Sequence, residues 1–184
     1  MHDDKNATTY TQRILMVGIS IGLSILFCTQ NIYAGRAITI PITLFDANNQ
    51  IKNIGTIVAK NVRCGVLFTP HLSDLPPGVH GFHIHEKPSC EDKGMAAGSH
   101  LDPRHTEKHK GPYQYQGHLG DLPILVVDQT GRATLPTLAP HLTLTKIKGH
   151  ALIIHAGQDN YSDEPEKLGG GGARIACGII SSSH

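Results

Sequence analysis

The stretch Val79-His80-Gly81-Phe82-His83-Ile84-His85 carries the alternating pattern of a β-strand. Side chains two positions apart on a strand share a face, so Phe82 and Ile84 point one way and both His83 and His85 point the other. At roughly 3.4 Å per residue, the Cα atoms of the two histidines lie about 7 Å apart, which lets both imidazoles reach one metal ion. Two exposed strand histidines without a ligand are the alternative interpretation.

Runs of the same kind occur on both sides of this stretch, at 37–45, 54–59, 62–69, 124–127, 133–135, 150–155 and 174–180. Turn-forming residues separate the runs at 46–50, 75–78, 128–131 and 168–172. No long amphipathic helix pattern competes with them. We therefore predict an all-β fold, an antiparallel sandwich or barrel.

The first 34 residues are predicted to be a signal peptide. Arg13 precedes an apolar run at 14–27, and a cleavage motif ends at Ala34. The run is shorter than the roughly 20 residues that span a bilayer, although an uncleaved anchor is the alternative. One exported domain is therefore expected at 35–184, in an oxidising compartment where cysteines can pair.

Composition excludes some functions and directs attention to histidine. The formal net charge of +1 provides no basic field for nucleic acid, and no Lys/Arg cluster forms a polybasic membrane patch. The chain has 13 histidines, four cysteines and no tryptophan. Because neutral imidazole is the commonest protein metal ligand, the placement of the histidines decides the function.

A segment of about 35 residues after His85, rich in Gly, Pro, His and charged residues, lacks any strand pattern. A loop of that length inside a compact domain is normally functional or disordered. It contains three imidazoles and a carboxylate that suit a tetrahedral zinc site: His100, His109, His118 and Asp121. A solvated polar loop is the alternative interpretation.

Six motifs, taken in order, resemble those of copper,zinc superoxide dismutases, and of their bacterial periplasmic branch in particular. They are GFHIH (81–85), GSHLDP (98–103), KHKGP (108–112), GHLGD (117–121), HAGQD (155–159) and RIACG (174–178). The resemblance covers essentially the whole chain after residue 34. It implies an eight-stranded antiparallel Greek-key β-barrel or sandwich with long metal-binding loops, which converts superoxide into molecular oxygen and hydrogen peroxide.

The resemblance also implies the site residues. The copper ligands would be His83, His85, His100 and His155, and the zinc ligands would be His100, His109, His118 and Asp121. His100 would thus be shared by both metals and would act catalytically as a general acid. Asp159 matches the carboxylate that links a copper histidine to a zinc histidine, here His83 and His109. Arg174 matches the arginine that holds the superoxide anion during catalysis.

A disulfide between Cys90 and Cys177 is implied in the same way. Cys64 has no counterpart in the family scheme. We expect it to be an inert core thiol, because on a strand it would share a face with Val66 and Phe68. Superoxide is the expected small-molecule partner, in the periplasm, with no nucleic acid, no membrane after cleavage, and either a monomer or a homodimer.

Two other functions fit part of the pattern. Copper-delivery proteins can carry a domain of this fold without catalysis, but such domains tend to lose copper ligands or the arginine. This sequence keeps all seven metal-ligand positions and Arg174. A scaffold in which zinc only stabilises the fold leaves His83, His85 and His155 without a task.

Overall fold

The computed structural model describes residues 37–45 and 51–182, and the predicted signal peptide lies outside them. The described residues form strands β1 Ala37–Phe45, β2 Ile51–Val62, β3 Gly65–Leu72, β4 Gly78–His80, β5 Phe82–His85, β6 Leu125–Val127, β7 Thr137–Ala139, β8 His150–His155 and β9 Arg174–Ile180. They also form one short α-helix, α1 Leu144–Ile147, and two 3-10 helices, at Met95–Ala97 and Lys167–Gly170. The predicted all-β class is confirmed. Nothing helical in this part of the chain is long and apolar enough to cross a membrane.

The strands form one large and one small antiparallel sheet. In the large sheet the order is β5-β8-β9-β1-β2-β3-β7, and β4 pairs with β6 in the small one. β1, β2 and β3 follow one another as antiparallel neighbours, and β9 returns from the far end of the chain to lie beside β1. This 4-1-2-3 arrangement is a Greek key.

The predicted run at 79–85 is divided into two strands at Gly81, so the described residues contain nine strands rather than eight. The N–H of Gly81 donates to the carbonyl of Gly157 at 2.8 Å, and its own carbonyl accepts from the N–H of His155 at 2.8 Å. β4 before this residue belongs to the small sheet and β5 after it to the large one. Gly81 is therefore the corner between the two sheets.

The run predicted at 133–135 is not a strand in the structure. Ala133 makes only an isolated bridge to Leu72, and the strand that pairs with β3 is β7, a few residues later. Pro136 stands between them and has no N–H to donate to a ladder. The strand therefore begins after the proline.

The core consists of the inward faces of the strands, as the alternation predicts. Ile40 and Ile42 of β1 and Phe68 of β3 are fully buried, and Phe68 packs edge to face on Phe82 of β5 with ring centroids 5.7 Å apart. Each such side chain stabilises the fold by about 1.5–3 kcal/mol. Because Phe82 and Ile84 point into this core, the intervening histidine of β5 points away from it.

The expectation for Cys64 is wrong. The chain reverses at Arg63 and Cys64, between β2 and β3, so Cys64 lies half-buried in a turn instead of facing the core with Val66 and Phe68. Its sulfur is part of a disulfide bond, so Cys64 does not carry the free thiol that was expected. The alternation argument failed because a turn interrupts the two-residue period of a strand.

Candidate metal centre

The long loop after β5 returns twice to the outer edge of β5, the outermost strand of the large sheet. The N–H of Leu101 donates to the carbonyl of Ile84 at 2.8 Å, and the N–H of Ile84 donates to the carbonyl of Gly120 at 2.9 Å. A Cβ at Gly120 would lie 2.2 Å from the carbonyl oxygen of Ile84, so only glycine allows this approach. These two contacts of the loop with β5 place His100 opposite His85 and Asp121 opposite His83.

Four buried histidines converge beneath this loop. They are called here the four-histidine group and comprise His83 and His85 of β5, His100 of the loop and His155 at the end of β8. Their potential ligand atoms lie within 4.8 Å of one another. Nδ1 of His83 and Nε2 of the other three have no hydrogen-bond partner. Buried polar atoms without partners are costly, so this arrangement fits a cation held by four nitrogens.

The second ring nitrogen of the strand histidines is held by the protein. Nδ1 of His85 donates to the carbonyl of Gly98 at 3.0 Å, and Nδ1 of His155 donates to the carbonyl of Gly172 at 3.2 Å. A carbonyl only accepts, so Nδ1 carries the proton and Nε2 keeps its lone pair. The backbone thereby orients both rings toward the centre of the group.

Burial keeps these imidazoles neutral. It lowers the pKa of His83 to about 3, that of His85 to about 2 and that of His155 to about 4. The pKa of His100 is lowered by burial too. Neutral imidazole is the form that binds a metal, so protons do not compete for these nitrogens near neutral pH.

A second cluster surrounds the carboxylate of Asp121 and is called here the Asp121 group: His100, His109, His118 and Asp121. Oδ1 of Asp121 lies 2.9, 3.1 and 3.3 Å from Nδ1 of the three histidines in that order. A tetrahedral zinc ion with ligands at about 2.0 Å spaces its ligands by about 3.3 Å. The Asp121 group therefore fits zinc closely.

Hydrogen bonds keep Asp121 ionised. Burial alone would raise the pKa of this carboxyl, but hydrogen bonds to His100, His109 and His118 outweigh burial and hold the pKa well below its usual range. The N–H of Gly111 also donates to Oδ2 at 3.3 Å. An anionic oxygen is the form that a zinc ion requires.

His100 belongs to both groups. Its Nδ1 faces Oδ1 of Asp121 at 2.9 Å, while its Nε2 is one of the unpartnered nitrogens of the four-histidine group. Its ring centroid lies 4.1 Å from that of His83 and 5.4 Å from that of His118. One imidazole therefore separates two adjacent sites.

Asp159 connects the four-histidine group to the Asp121 group, because its carboxylate is hydrogen-bonded to one histidine of each. Its Oδ2 lies 2.7 Å from Nε2 of His83, and its Oδ1 lies 2.8 Å from Nε2 of His109. Burial lowers the pKa of His109, but hydrogen bonds to Asp121 and Asp159 outweigh burial and raise it to about 9. Burial in turn raises the pKa of Asp159, whereas its hydrogen bonds to His109 and His83 hold it well below the usual range.

Gly169 packs directly against this carboxylate. It adopts a left-handed backbone with φ of 77°, and a Cβ there would lie 2.1 Å from Oδ1 of Asp159 and 2.7 Å from Nε2 of His109. Glycine is therefore needed for both conformation and space. The sequence predicts residues 168–172 only as a turn-forming segment and does not indicate this contact with Asp159.

Arg174 lies at the start of β9, opposite His155 in the sheet. Its guanidinium is half-buried and donates to the carbonyl of Gly94 at 2.5 Å and to that of Gly98 at 2.7 Å. The predicted disulfide between Cys90 and Cys177 is confirmed, with Cα atoms 5.7 Å apart. It ties the beginning of the loop to the same strand that carries Arg174.

The structure brings together all the predicted ligands and Asp159, and it places Arg174 opposite His155. The exposed His105 lies outside the four-histidine group and the Asp121 group. Three backbone carbonyls were missed, those of Gly94, Gly98 and Gly172, which orient Arg174 and two of the histidines. A backbone carbonyl has no side-chain signature, so no sequence motif marks it.

A Greek-key fold with two buried ligand groups sharing one histidine defines a protein with a paired-metal centre. The family described as copper/zinc superoxide dismutase (SODC) matches residues 29–180. A relative from Photobacterium leiognathi named superoxide dismutase [Cu-Zn] is 55% identical over 137 residues, which are 70% of this chain and 79% of the relative. The chain belongs to the copper/zinc superoxide dismutase family.

Solved structures agree with this assignment. The Cu/Zn superoxide dismutase from Brucella abortus is similar with a TM-score of 0.74 and 43% identity, covering 79% of this chain and 100% of that one. The monomeric copper, zinc superoxide dismutase from Salmonella enterica, solved in solution, is similar with a TM-score of 0.69 and 50% identity over the same shares of the two chains.

Proposed function

We propose that this protein is a superoxide dismutase, which converts two superoxide anions and two protons into molecular oxygen and hydrogen peroxide. The observation that carries this function is the shared position of His100 between two buried ligand groups. Family membership supports superoxide as the substrate. A protein that only stored or carried one metal would have no use for such a bridge.

The four-histidine group is the proposed copper site. Imidazole nitrogens suit copper, and the four unpartnered nitrogens of His83, His85, His100 and His155 provide four lone pairs. When bound, copper supplies one-electron chemistry, accepting an electron from one superoxide and giving it to the next. The protein's part is to hold the rings, through Asp159 and through the carbonyls of Gly98 and Gly172.

The Asp121 group is the proposed zinc site. Three nitrogens and one carboxylate oxygen are a common tetrahedral zinc set, and all four residues are buried. The group occupies the loop after β5, which has little regular secondary structure of its own. Zinc is therefore proposed to be structural, holding the loop and the imidazole of His100 in place.

His100 is the proposed proton donor. Its Nδ1 is engaged within the Asp121 group, so Nε2 is the nitrogen that can hold a proton between the two half-reactions. This nitrogen faces the four-histidine group, where the second superoxide is reduced to peroxide. General acid catalysis by a positioned imidazole contributes about 10²–10⁴-fold in rate.

Arg174 is the proposed substrate-holding residue. Two of its nitrogens are fixed by the carbonyls of Gly94 and Gly98, and a guanidinium has five N–H donors, so others are left for an incoming anion. Burial lowers its pKa from the ordinary value, but a guanidinium remains charged in proteins. A fixed cation beside His155 attracts superoxide to the copper site.

The proposed location is the periplasm, after removal of residues 1–34. The disulfide between Cys90 and Cys177 is consistent with an oxidising compartment. Bacterial relatives belong to the same family. N-terminal sequencing of the protein secreted by a bacterial host tests this location, because it reveals whether cleavage follows Ala34.

A homodimer is proposed as the assembly, because two exposed apolar side chains, Tyr113 and Leu138, line one concavity beside β7. Exposed apolar patches of this kind mark interaction surfaces. The similar Salmonella enterica protein is monomeric, so the two states must be distinguished by experiment. Sedimentation velocity over a range of protein concentrations does so, and a single monomer species would refute the dimer.

The experiment that tests the proposed function is metal analysis of the mature protein together with a direct superoxide assay, with copper and zinc removed in turn. We expect one copper and one zinc per chain, with no activity after copper removal and partial activity after zinc removal. Full metal occupancy without dismutation would instead support a metal-binding module.

A further inference from the structure

A cavity of about 570 Å³ lies against the outer side of the Asp121 group, and Arg174 does not line it. Its volume falls within the roughly 300–1,000 Å³ that small-molecule sites occupy. His118 and Asp121 form part of its wall. The molecule therefore has a concave surface beside the metal centre that Arg174 does not line.

The charge of this cavity is positive. Arg104 and Lys146 line it, and its only lining carboxylate is Asp121, which is buried and already bonded within its own group. Arg104 donates to a backbone carbonyl at 3.3 Å and Lys146 to another at 3.4 Å, and neither is paired with a described carboxylate. A concave surface with unpaired cations attracts an anion.

Much of the remaining lining is apolar or aromatic, beside the polar side chains of Gln114 and His150. The ring of Tyr115 lies on that of His141, with centroids 3.8 Å apart and planes inclined by 38°. Leu101, Leu119 and Pro140 extend the apolar wall. Aromatic faces of this kind bind planar apolar groups. A hydrated inorganic anion would leave this wall without a partner.

We propose that this cavity binds a small organic anion with a flat apolar body, such as an aromatic carboxylate or sulfonate. Arg104 and Lys146 hold the anionic group through charge-assisted hydrogen bonds, and the Tyr115–His141 pair holds the body. Superoxide is too small to fill the cavity. Binding at this site is therefore not a step of the proposed dismutase reaction, although the cavity shares its wall with the Asp121 group.

The test titrates 1-anilinonaphthalene-8-sulfonate into the copper- and zinc-loaded protein and follows its fluorescence. We expect one bound probe per chain, and a Kd that rises about tenfold in the double variant Arg104→Ala/Lys146→Ala as two charge-assisted contacts are lost. N-phenyl-1-naphthylamine has the same body without the sulfonate, and it should bind about tenfold more weakly than the sulfonate probe.

The matched control is Lys60→Ala/Arg132→Ala, which removes one lysine and one arginine that do not line the cavity, the first in strand β2 and the second just before Ala133. Its Kd should equal that of the unmodified protein. Three results would overturn the proposal: no binding, equal weakening in the control, or NMR shifts at the exposed Tyr113 and Leu138 rather than at Tyr115. The dismutation rate, recorded alongside, tests the proposed function separately.

Discussion

Arg174 and His85 share one acceptor: the carbonyl oxygen of Gly98 lies 2.7 Å from Nη2 of Arg174 and 3.0 Å from Nδ1 of His85. A single loop carbonyl thus orients both a proposed copper ligand and the proposed substrate-holding cation. Cys90, bonded to Cys177 of β9, anchors the same loop. Loop order, ligand orientation and the position of the cation are therefore coupled.

Replacing Arg174 should slow the reaction without removing the metals. Arg174→Ala should lower turnover by about tenfold or more, and Arg174→Lys should fall between, because charge survives but the planar fork does not. The Debye length shrinks from about 10 Å at 0.1 M salt to about 3 Å at 1 M, so activity should decline with salt. Pulse radiolysis at matched copper occupancy measures both effects.

The salt dependence of the Arg174→Ala protein should be shallower than that of the unmodified protein. Arg132→Ala is the matched control, since it removes an exposed arginine that precedes the bridge between Ala133 and Leu72 and belongs to neither ligand group. Equal salt slopes for the unmodified protein and Arg174→Ala would show that Arg174 does not steer the substrate.

Asp159→Asn should weaken zinc binding. Asp159 accepts from both His83 and His109, whereas an amide has one accepting oxygen and would present a donor to one of the two imidazoles. Loss of such a carboxylate typically costs 10–100-fold in metal affinity, about the change we expect in zinc Kd by chelator competition. Asp163→Asn is the control, because the hydrogen bonds that Asp163 accepts come from the backbone N–H groups of His109 and Leu168 and not from an imidazole. Unchanged zinc affinity in Asp159→Asn would exclude this positioning role.

Gly169→Ala should destabilise the centre more than Gly172→Ala. Both glycines have positive φ, of 77° and 67°, so alanine costs about 1–2 kcal/mol of backbone strain at either position. Only at Gly169 would the new Cβ meet the Asp159 carboxylate, while nothing lies within 4 Å of a Cβ at Gly172. Thermal unfolding and zinc content of the two variants isolate the steric effect. Equal losses would mean that strain alone accounts for both.

Removing the disulfide with Cys90→Ser/Cys177→Ser should lower stability. The bond closes a loop of 87 residues, which corresponds to about 4.5 kcal/mol in the chain-entropy description. Denaturant unfolding of the metal-loaded protein measures the change in the free energy of unfolding. Copper affinity should fall as well, because the loop carbonyl that orients His85 loses its anchor. A variant with unchanged copper affinity would show that the loop is held by other contacts.

The stability of the metal-free protein should be greatest near pH 6.5. The folded-state pKa values of His83, His85 and His155 lie below the ordinary 6.5, so the unfolded chain binds more protons and stability falls as pH drops below 6.5. His109 has its pKa raised to about 9, so its contribution is complete below pH 6.5 and is lost as pH rises toward 9. Denaturant unfolding at pH 5, 6.5 and 8.5 checks the expected loss of stability on both sides of pH 6.5. A free energy of unfolding that only rises or only falls over this range would contradict the prediction.

The runs at 37–45, 150–155 and 174–180 coincide with β1, β8 and β9. β1 could be predicted because its inward residues pack in the core, which imposes alternation. β8 and β9 could be predicted as short apolar runs, because burial extends to both of their faces. The corner at Gly81 and the turn at Cys64 could not be predicted from the sequence. Both depend on which strand the neighbouring residues pair with, and pairing is a long-range property that local periodicity does not contain.

By itself, the sequence determined the all-β class and the common face of His83 and His85, because these depend on residue type and a two-residue period. The full list of candidate ligands came from the resemblance of its motifs to those of the family. Only the tertiary structure decided which nitrogen of each imidazole is left open, that Asp159 spans both groups, and that one carbonyl serves Arg174 and His85. The reason is that ring orientation is set by hydrogen bonds from distant segments, which meet only when the sheets and the loop have packed.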